Sequence, residues 1–327
     1  MFSNGSKLIL LALTLGLILA GCNVKINSGP GGPQPGADGA DGADGDEVGT
    51  DPAENAAAAA IKKLKGQVTH DTTQPAKPVT EVSLHYTKAT DEDLKDLAAF
   101  SQLRKLKLSS TQVTGTGLKD LAGLKNLEHL DLSFSQANDA GMKEVAKLKQ
   151  LKSLNLCNAK PTDAGLRELA ALDQLQELTA SQNFEFTDTG VVELAKLKQL
   201  RKLDLANSKT GDRGLKALTA LPQLQVLHLY GTSMTKEGMN FVVQHKDLRE
   251  LWLSGFEVTD ENMKILAKLP ELESLKLTSA FDLTNKGLME LAALKKLKKL
   301  ELGSSKTTIA GVEALQKALP DCSISSR

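Results

Sequence analysis

From residue 103 the chain can be written as stacked lines of nearly the same text: LRKLKLSSTQVTGTGLKDLAGLKN, LEHLDLSFSQANDAGMKEVAKLKQ, LKSLNLCNAKPTDAGLRELAALDQ. Further lines open at Leu175, Leu200, Leu224, Leu248, Leu272 and Leu297, each unit being 24 or 25 residues long, and a degenerate line from Val79 makes ten. This period outranks any local propensity. A unit of two dozen residues cannot enclose a core of its own, so such units must stack and share one.

Positions are counted from the first residue of each line. Every line holds LxxLxL, in which the leucines at positions 4 and 6 point one way and positions 3, 5 and 7 the other, so a short strand with one buried face is predicted. After a turn that often reads VTD or PTD comes GLxELAxL, where the apolar spacing becomes helical, as in Leu166, Leu169, Ala170 and Leu172. Thr259 is the expected N-cap of one such helix, with Asp260 in the first turn and Val258 stapled against Met263. Thr114 with Val113 and Leu118 repeats that arrangement. Strands then align into one parallel sheet and helices line the other side, with the leucines between them.

The LxxLxL lines with their helical second halves resemble leucine-rich repeats over about residues 79–324, and are similar to the ribonuclease-inhibitor-like type. The resemblance implies an α/β fold: a right-handed solenoid with a parallel sheet on its concave face and helices on its convex face. This chain departs from the family pattern at position 9. Where Asn or Cys is usual, it has Thr87, Thr111, Ser135, Ala159, Asn183, Ser208, Thr232, Phe256, Ala280 and Ser305, so hydroxyls must replace part of an asparagine ladder. Terminal repeats would otherwise expose leucine. AENAAAAAIKKLKG (53–66), read as a helix ended by glycine, and a hairpin through QVTHDT and PVTEVSLHY are expected to cap the front within 53–78, and ALPDCSI to close the last turn of the repeat region 79–327.

The N-terminus is of another kind. Lys7 precedes LILLALTLGLILA (8–20), thirteen uncharged residues, too few to span a bilayer and fitting the h-region of a signal peptide over 1–21. LAGC (19–22) resembles a bacterial lipobox, which implies cleavage before Cys22 and lipid attachment, palmitate among the acyl chains, to its sulfur. Asn23 rather than Asp after that cysteine leans, by the same resemblance, toward the outer membrane. Residues 22–52 are rich in Gly, Pro and Asp. GADGADGADGDE carries glycine at every third place, but four triplets without proline in the third positions do not support a triple helix, so a flexible tether is expected. From residue 62 onward there are 38 basic against 33 acidic side chains, a net of +5, too mild to argue for nucleic acid.

Only 3% of the residues are aromatic, so the cluster of His228, Tyr230 and Trp252, the sole tryptophan, stands out. His228 and Trp252 occupy position 5 and Tyr230 position 7, and strands spaced ~4.8 Å apart would bring them into one patch on the open face. Such rings are favoured anchors for protein partners, with Glu250 and Lys202 as a polar rim; the alternative is that they merely cover the sheet. Phe256, at position 9, is expected in the core, and Phe134, at position 8, is ambiguous.

The position-5 stripe runs Ser83, Lys107, Asp131, Asn155, Thr179, Asp204, His228, Trp252, Lys276, Glu301, a mixed surface with no concentrated chemistry. His129 with Asp131, and His85 beside Ser109, can be arranged into a hydrolase-like set, but no nucleophile elbow or oxyanion-hole sequence accompanies them. Cys157 and Cys322 lie six strand spacings apart, roughly 29 Å, beyond disulfide reach. Cys157 is either an exposed thiol or a small residue in a tight row. No CxxC pair, cofactor motif or metal-ligand spacing is present, TGTG (114–117) lacks the rest of a phosphate loop, and KKLKKL (295–300) reads as a solvated edge.

A non-catalytic, lipid-anchored envelope module that binds a protein or an envelope polymer on its concave sheet is therefore expected. The alternatives are a structural spacer without a ligand, or an adaptor or inhibitor of an enzyme.

Overall fold

The computed structural model describes residues 51–326, apart from the side chain of Phe256; the leader, Cys22 and the tether up to residue 50 lie outside the described residues, as does the expectation for Phe256. Helix α1 (Pro52–Lys63) begins at Asp51, whose carboxylate accepts the Ala53 N–H at 2.8 Å, and buries Ala57 and Ile61. Lys65, rather than the expected Gly66, takes the left-handed conformation that ends it, with φ 62°.

Twelve strands follow among the described residues: β1 (Gln67–His70), β2 (Val79–Ser83), β3 (Lys105–Lys107), β4 (His129–Asp131), β5 (Ser153–Asn155), β6 (Glu177–Thr179), β7 (Lys202–Asp204), β8 (Val226–His228), β9 (Glu250–Ser254), β10 (Ser274–Thr278), β11 (Lys299–Leu302) and β12 (Ser323–Ser326). They form one sheet in chain order. β1 pairs antiparallel with β2 as a hairpin, and every later pair is parallel. The register never slips between equivalent positions: Leu203, Leu227, Leu251 and Leu275 are direct neighbours, as are Asp204, His228, Trp252 and Lys276. Position 4 thus builds a continuous buried column, with Leu227, Leu251 and Leu275 all at 0% exposure, while position 5 builds a column on the opposite, concave face. The fold is a leucine-rich α/β solenoid.

The turn after each strand has a common geometry. Position 8 turns left-handed in all ten repeats, even where the residue is aromatic, as at Tyr86 (φ 59°) and Phe134 (φ 54°). Position 9 then supplies the missing asparagine function with hydroxyls. Thr111 Oγ1 donates to the Leu108 carbonyl at 2.6 Å and Ser135 Oγ to that of Leu132 at 2.6 Å. Asn183, the one asparagine in the row, reaches the carbonyls of Leu156, Ala180 and Ser181.

The second halves of the repeats are short helices. Thr259 caps Asp260–Leu266 as expected, its hydroxyl accepting the Asn262 N–H at 3.2 Å, with Val258 and Met263 both buried. The first two are 3-10 helices instead, Asp91–Ala99 and Thr116–Leu121. At the second, the expected cap at Thr114 is displaced to Gly115, left-handed at φ 93°. The Thr114 hydroxyl donates to Asp91 Oδ2 of the preceding repeat at 2.6 Å, as the Thr162 hydroxyl does to Asp139 while still capping its own helix, so this commitment does not by itself displace the cap.

That commitment is a general device. Asp91 also accepts the N–H groups of Thr114, Gly115 and Gly117, so the TGTG turn is a cradle for an anion that the protein itself supplies. Burial opposes ionisation of Asp91, but these bonds outweigh it and hold the carboxyl below its ordinary value. Asp139 binds Thr162 and Gly165, Asp163 binds Thr187, Asp212 binds Thr235 and Asp260 binds Thr284 in the same manner. Each aspartate at the first helical position therefore caps the helix of the next repeat. A β-carbon on Gly214 would sit 2.7 Å from the Asp188 carboxylate that binds its N–H, which explains the recurrent glycine two residues after the aspartate position. Where that aspartate is replaced by Lys236, the next repeat carries Asn262 in place of glycine.

Candidate functional site

β7 to β11 lay five position-5 residues side by side on the concave face, and their side chains form a continuous column. The His228 imidazole stacks on the Trp252 indole at 3.8 Å between centroids and 10° between planes. Lys276 Nζ lies 4.6 Å from the Trp252 ring centroid and 3.4 Å from Glu301. At the other end His228 Nδ1 stands 3.5 Å from Asp204 Oδ2. From the adjacent position-3 row, Glu250 Oε1 meets His228 Nε2 at 2.9 Å. Parallel pairing produces this arrangement, because it brings equivalent residues of successive repeats together with no offset.

His228 is 1% exposed and Asp204 3%, whereas Trp252 is half-buried. Burial by itself disfavours the imidazolium, but the negative charge of Asp204 and the bond and charge of Glu250 outweigh it and raise the His228 pKa above 6.5. The bond from His228 in turn holds the Glu250 carboxyl low against the effect of its own burial, helped by the charges of Lys202 and Lys299. His245 shows the contrary case. It is buried with a backbone carbonyl, that of Leu221, for a partner, and burial wins, pushing its pKa down.

The five residues expected to form the site occupy the one face, in different ways. His228 is not displayed: Trp252 covers it. Trp252 has one ring face against His228 and a lysine over the ring, so it offers less than a free platform. Tyr230, two residues past the end of β8, is half-buried, and Lys202 lines the rim. Asp204, Lys276 and Glu301 complete the column, although the ring pattern alone did not single them out. Asp204 also has a structural task, its Oδ1 accepting the Ala206 N–H at 2.9 Å; Asp131 and Asn155 do likewise for Ser133 and Cys157. Three residues of the stripe are therefore occupied in closing turns.

The remaining candidates fall elsewhere. His85 bonds Ser109 across one strand spacing and packs on Tyr86. No bond joins His129 to Asp131 among the described residues. Cys157 is fully buried, which rules out the exposed-thiol reading, and burial raises the thiol pKa of Cys322. In KKLKKL, Lys296 and Lys298 pair with Glu271 and Glu273 at the solvated edge. Among the described residues no group of three or more His, Cys, Asp or Glu side chains could hold a metal ion, and no helix is long and apolar enough to cross a membrane.

A family model described as "Leucine-rich repeat region" matches residues 81–319. The chain belongs to the leucine-rich repeat family. As a leucine-rich repeat protein it is similar in fold to an internalin from Listeria monocytogenes, at 21% identity over 72% of this chain and 70% of that one, with a TM-score of 0.52. A leucine-rich repeat protein from Leptospira interrogans aligns at 23% identity over 71% and 74% of the two chains, with a TM-score of 0.42. No curated protein matches it.

Proposed function

We propose that this leucine-rich repeat protein is a non-catalytic recognition module that binds a protein partner, or an envelope polymer, on its concave sheet around Trp252, and that a lipid on Cys22 tethers it to the bacterial cell envelope. The observation that carries the recognition reading is the half-buried indole on the open face of β9, with Lys276 over its ring, Glu301 paired to that lysine, and Glu250 and Lys202 in the neighbouring position-3 row. A large ring held by its neighbours loses little entropy on binding, and mixed charge around it supplies a polar rim.

Pull-down with residues 53–327 tests this. A partner captured by the wild type is expected to be lost with Trp252→Ala combined with Tyr230→Ala while the variant remains folded at the assay temperature; identical capture by both proteins would remove the ring surface from the function.

The anchoring reading rests on the LILLALTLGLILA and LAGC segments. Two or three acyl chains, each methylene contributing ~0.8 kcal/mol, hold a protein stably on a bilayer. Metabolic labelling with a fatty-acid analogue is expected to mark the full-length chain and spare Cys22→Ala, and an unlabelled wild type would end the claim. With Asn23 after the cysteine, outer-membrane placement is the proposal, to be checked by fractionation of the two membranes.

A further inference from the structure

The most heavily buried titratable group on the concave face lies directly beneath the ring taken above as the binding anchor. His228 touches Trp252 on one side and meets a carboxylate at each nitrogen, Asp204 at 3.5 Å and Glu250 at 2.9 Å. A neutral imidazole has one N–H. If that proton serves Glu250, the Nδ1 lone pair faces the lone pairs of Asp204; if it serves Asp204, Glu250 is left facing a lone pair. Only the imidazolium satisfies both carboxylates. The Nδ1 contact, at 3.5 Å, lacks hydrogen-bond geometry, and this buried atom has no hydrogen-bond partner, so the pairing there is purely between charges.

We propose that Asp204, His228 and Glu250 form a proton-operated switch for the Trp252 surface: the imidazolium pins the ring column in its closed form, and loss of that proton releases His228 from one carboxylate and loosens Trp252. This rests on the reading of that surface as the binding face only for its biological use, not for its existence. Other charges face the set from each strand around it: Lys202 on β7, Lys276 over the indole on β10, and Lys299 and Glu301 on β11. Tyr230 is the remaining titratable group nearby, two residues beyond the end of its strand.

The sign follows from the direction of the shift. Asp204 and Glu250 hold the proton on His228 above its ordinary 6.5 despite burial, so the set stabilises the fold fully below that pH. That contribution fades as the pH rises through the folded value. Glu250, held low by His228, stays ionised across this window.

The single tryptophan makes the switch directly readable. Emission excited at the red edge, where the tyrosines do not absorb, is followed from about pH 5 to about 9, the range of a perturbed histidine, in parallel with acrylamide quenching and thermal melts. In the wild type, one sigmoidal transition centred above 6.5 is expected, with quenching increasing and the melting temperature falling on the alkaline side. His228→Gln should abolish the transition. Asp204→Asn, which retains an acceptor for the Ala206 N–H, should lower its midpoint by about one pH unit, the effect of removing one close opposite charge. A flat wild-type titration, a transition surviving in His228→Gln, or an unmoved midpoint in Asp204→Asn would each overturn the switch. Should His228→Gln fail to fold, the Asp204→Asn midpoint decides. No partner is needed, so a flat titration beside a positive pull-down would remove the switch and leave the recognition reading standing, and the converse result would do the reverse.

Discussion

Leu251→Ala will lower the unfolding free energy by about 2–5 kcal/mol, the range for emptying a fully buried leucine site. Leu251 is 0% exposed and lies between Leu227 and Leu275 in the position-4 column. Side chains of the neighbouring repeats are held by their own strands, so the stack cannot collapse into the void. The next residue gives the contrast. Trp252, on the opposite face of the same strand, contributes stacking on His228 and a cation over its ring, and Trp252→Ala should cost about 1–2 kcal/mol. Urea denaturation of both variants checks the assignment of faces. A larger loss at Trp252 than at Leu251 would mean that the register of the sheet, and every statement about the concave column, is wrong.

The second large effect concerns the aspartate ladder between repeats. Asp188 accepts the N–H groups of Gly211 at 2.7 Å and Gly214 at 2.9 Å, and both glycines are buried. Asp188→Ala strands two buried donors at about 1–3 kcal/mol each, so a total loss of about 2–6 kcal/mol is expected. Gly214→Ala is destabilising for another reason. Its new carbon would lie 2.7 Å from the Asp188 carboxylate oxygen, and accommodating it costs about 1–3 kcal/mol. The two faults share one atom. In the double variant the crowding oxygen is gone, and the combined loss should fall short of the sum by about 1 kcal/mol. Strict additivity in a double-mutant cycle would show that the aspartate and the glycine are not linked. The chain already holds one such relaxed pair, Lys236 with Asn262.

Both halves of that ladder were visible as text, in PTDAG, FTDTG and LTNKG, yet only part of it was legible. The sequence marks Asp260 as favourable in a first helical turn, and it is. That its carboxylate also binds Thr284, 24 residues on, is a contact between repeats. A motif read within one line cannot distinguish a residue that serves its own helix from one that serves the next. Thr114 shows the same limit: its hydroxyl serves Asp91 of the preceding repeat, and the helix behind it is capped at Gly115 instead.

The recognition face divides similarly. Leucine periodicity by itself determined the strands, their buried side and the alignment of His228 with Trp252, because a strand alternates its faces every residue and a stacked repeat returns each position to the same place. Only the tertiary structure decided that the imidazole lies flat beneath the indole, that Asp204 and Glu250 close on it from two strands, and that His228 is thereby hidden rather than displayed. Register fixes where the α-carbons stand. Ring orientation, burial and proton affinity depend on the side chains of three consecutive repeats packed together, and no single repeat contains that information.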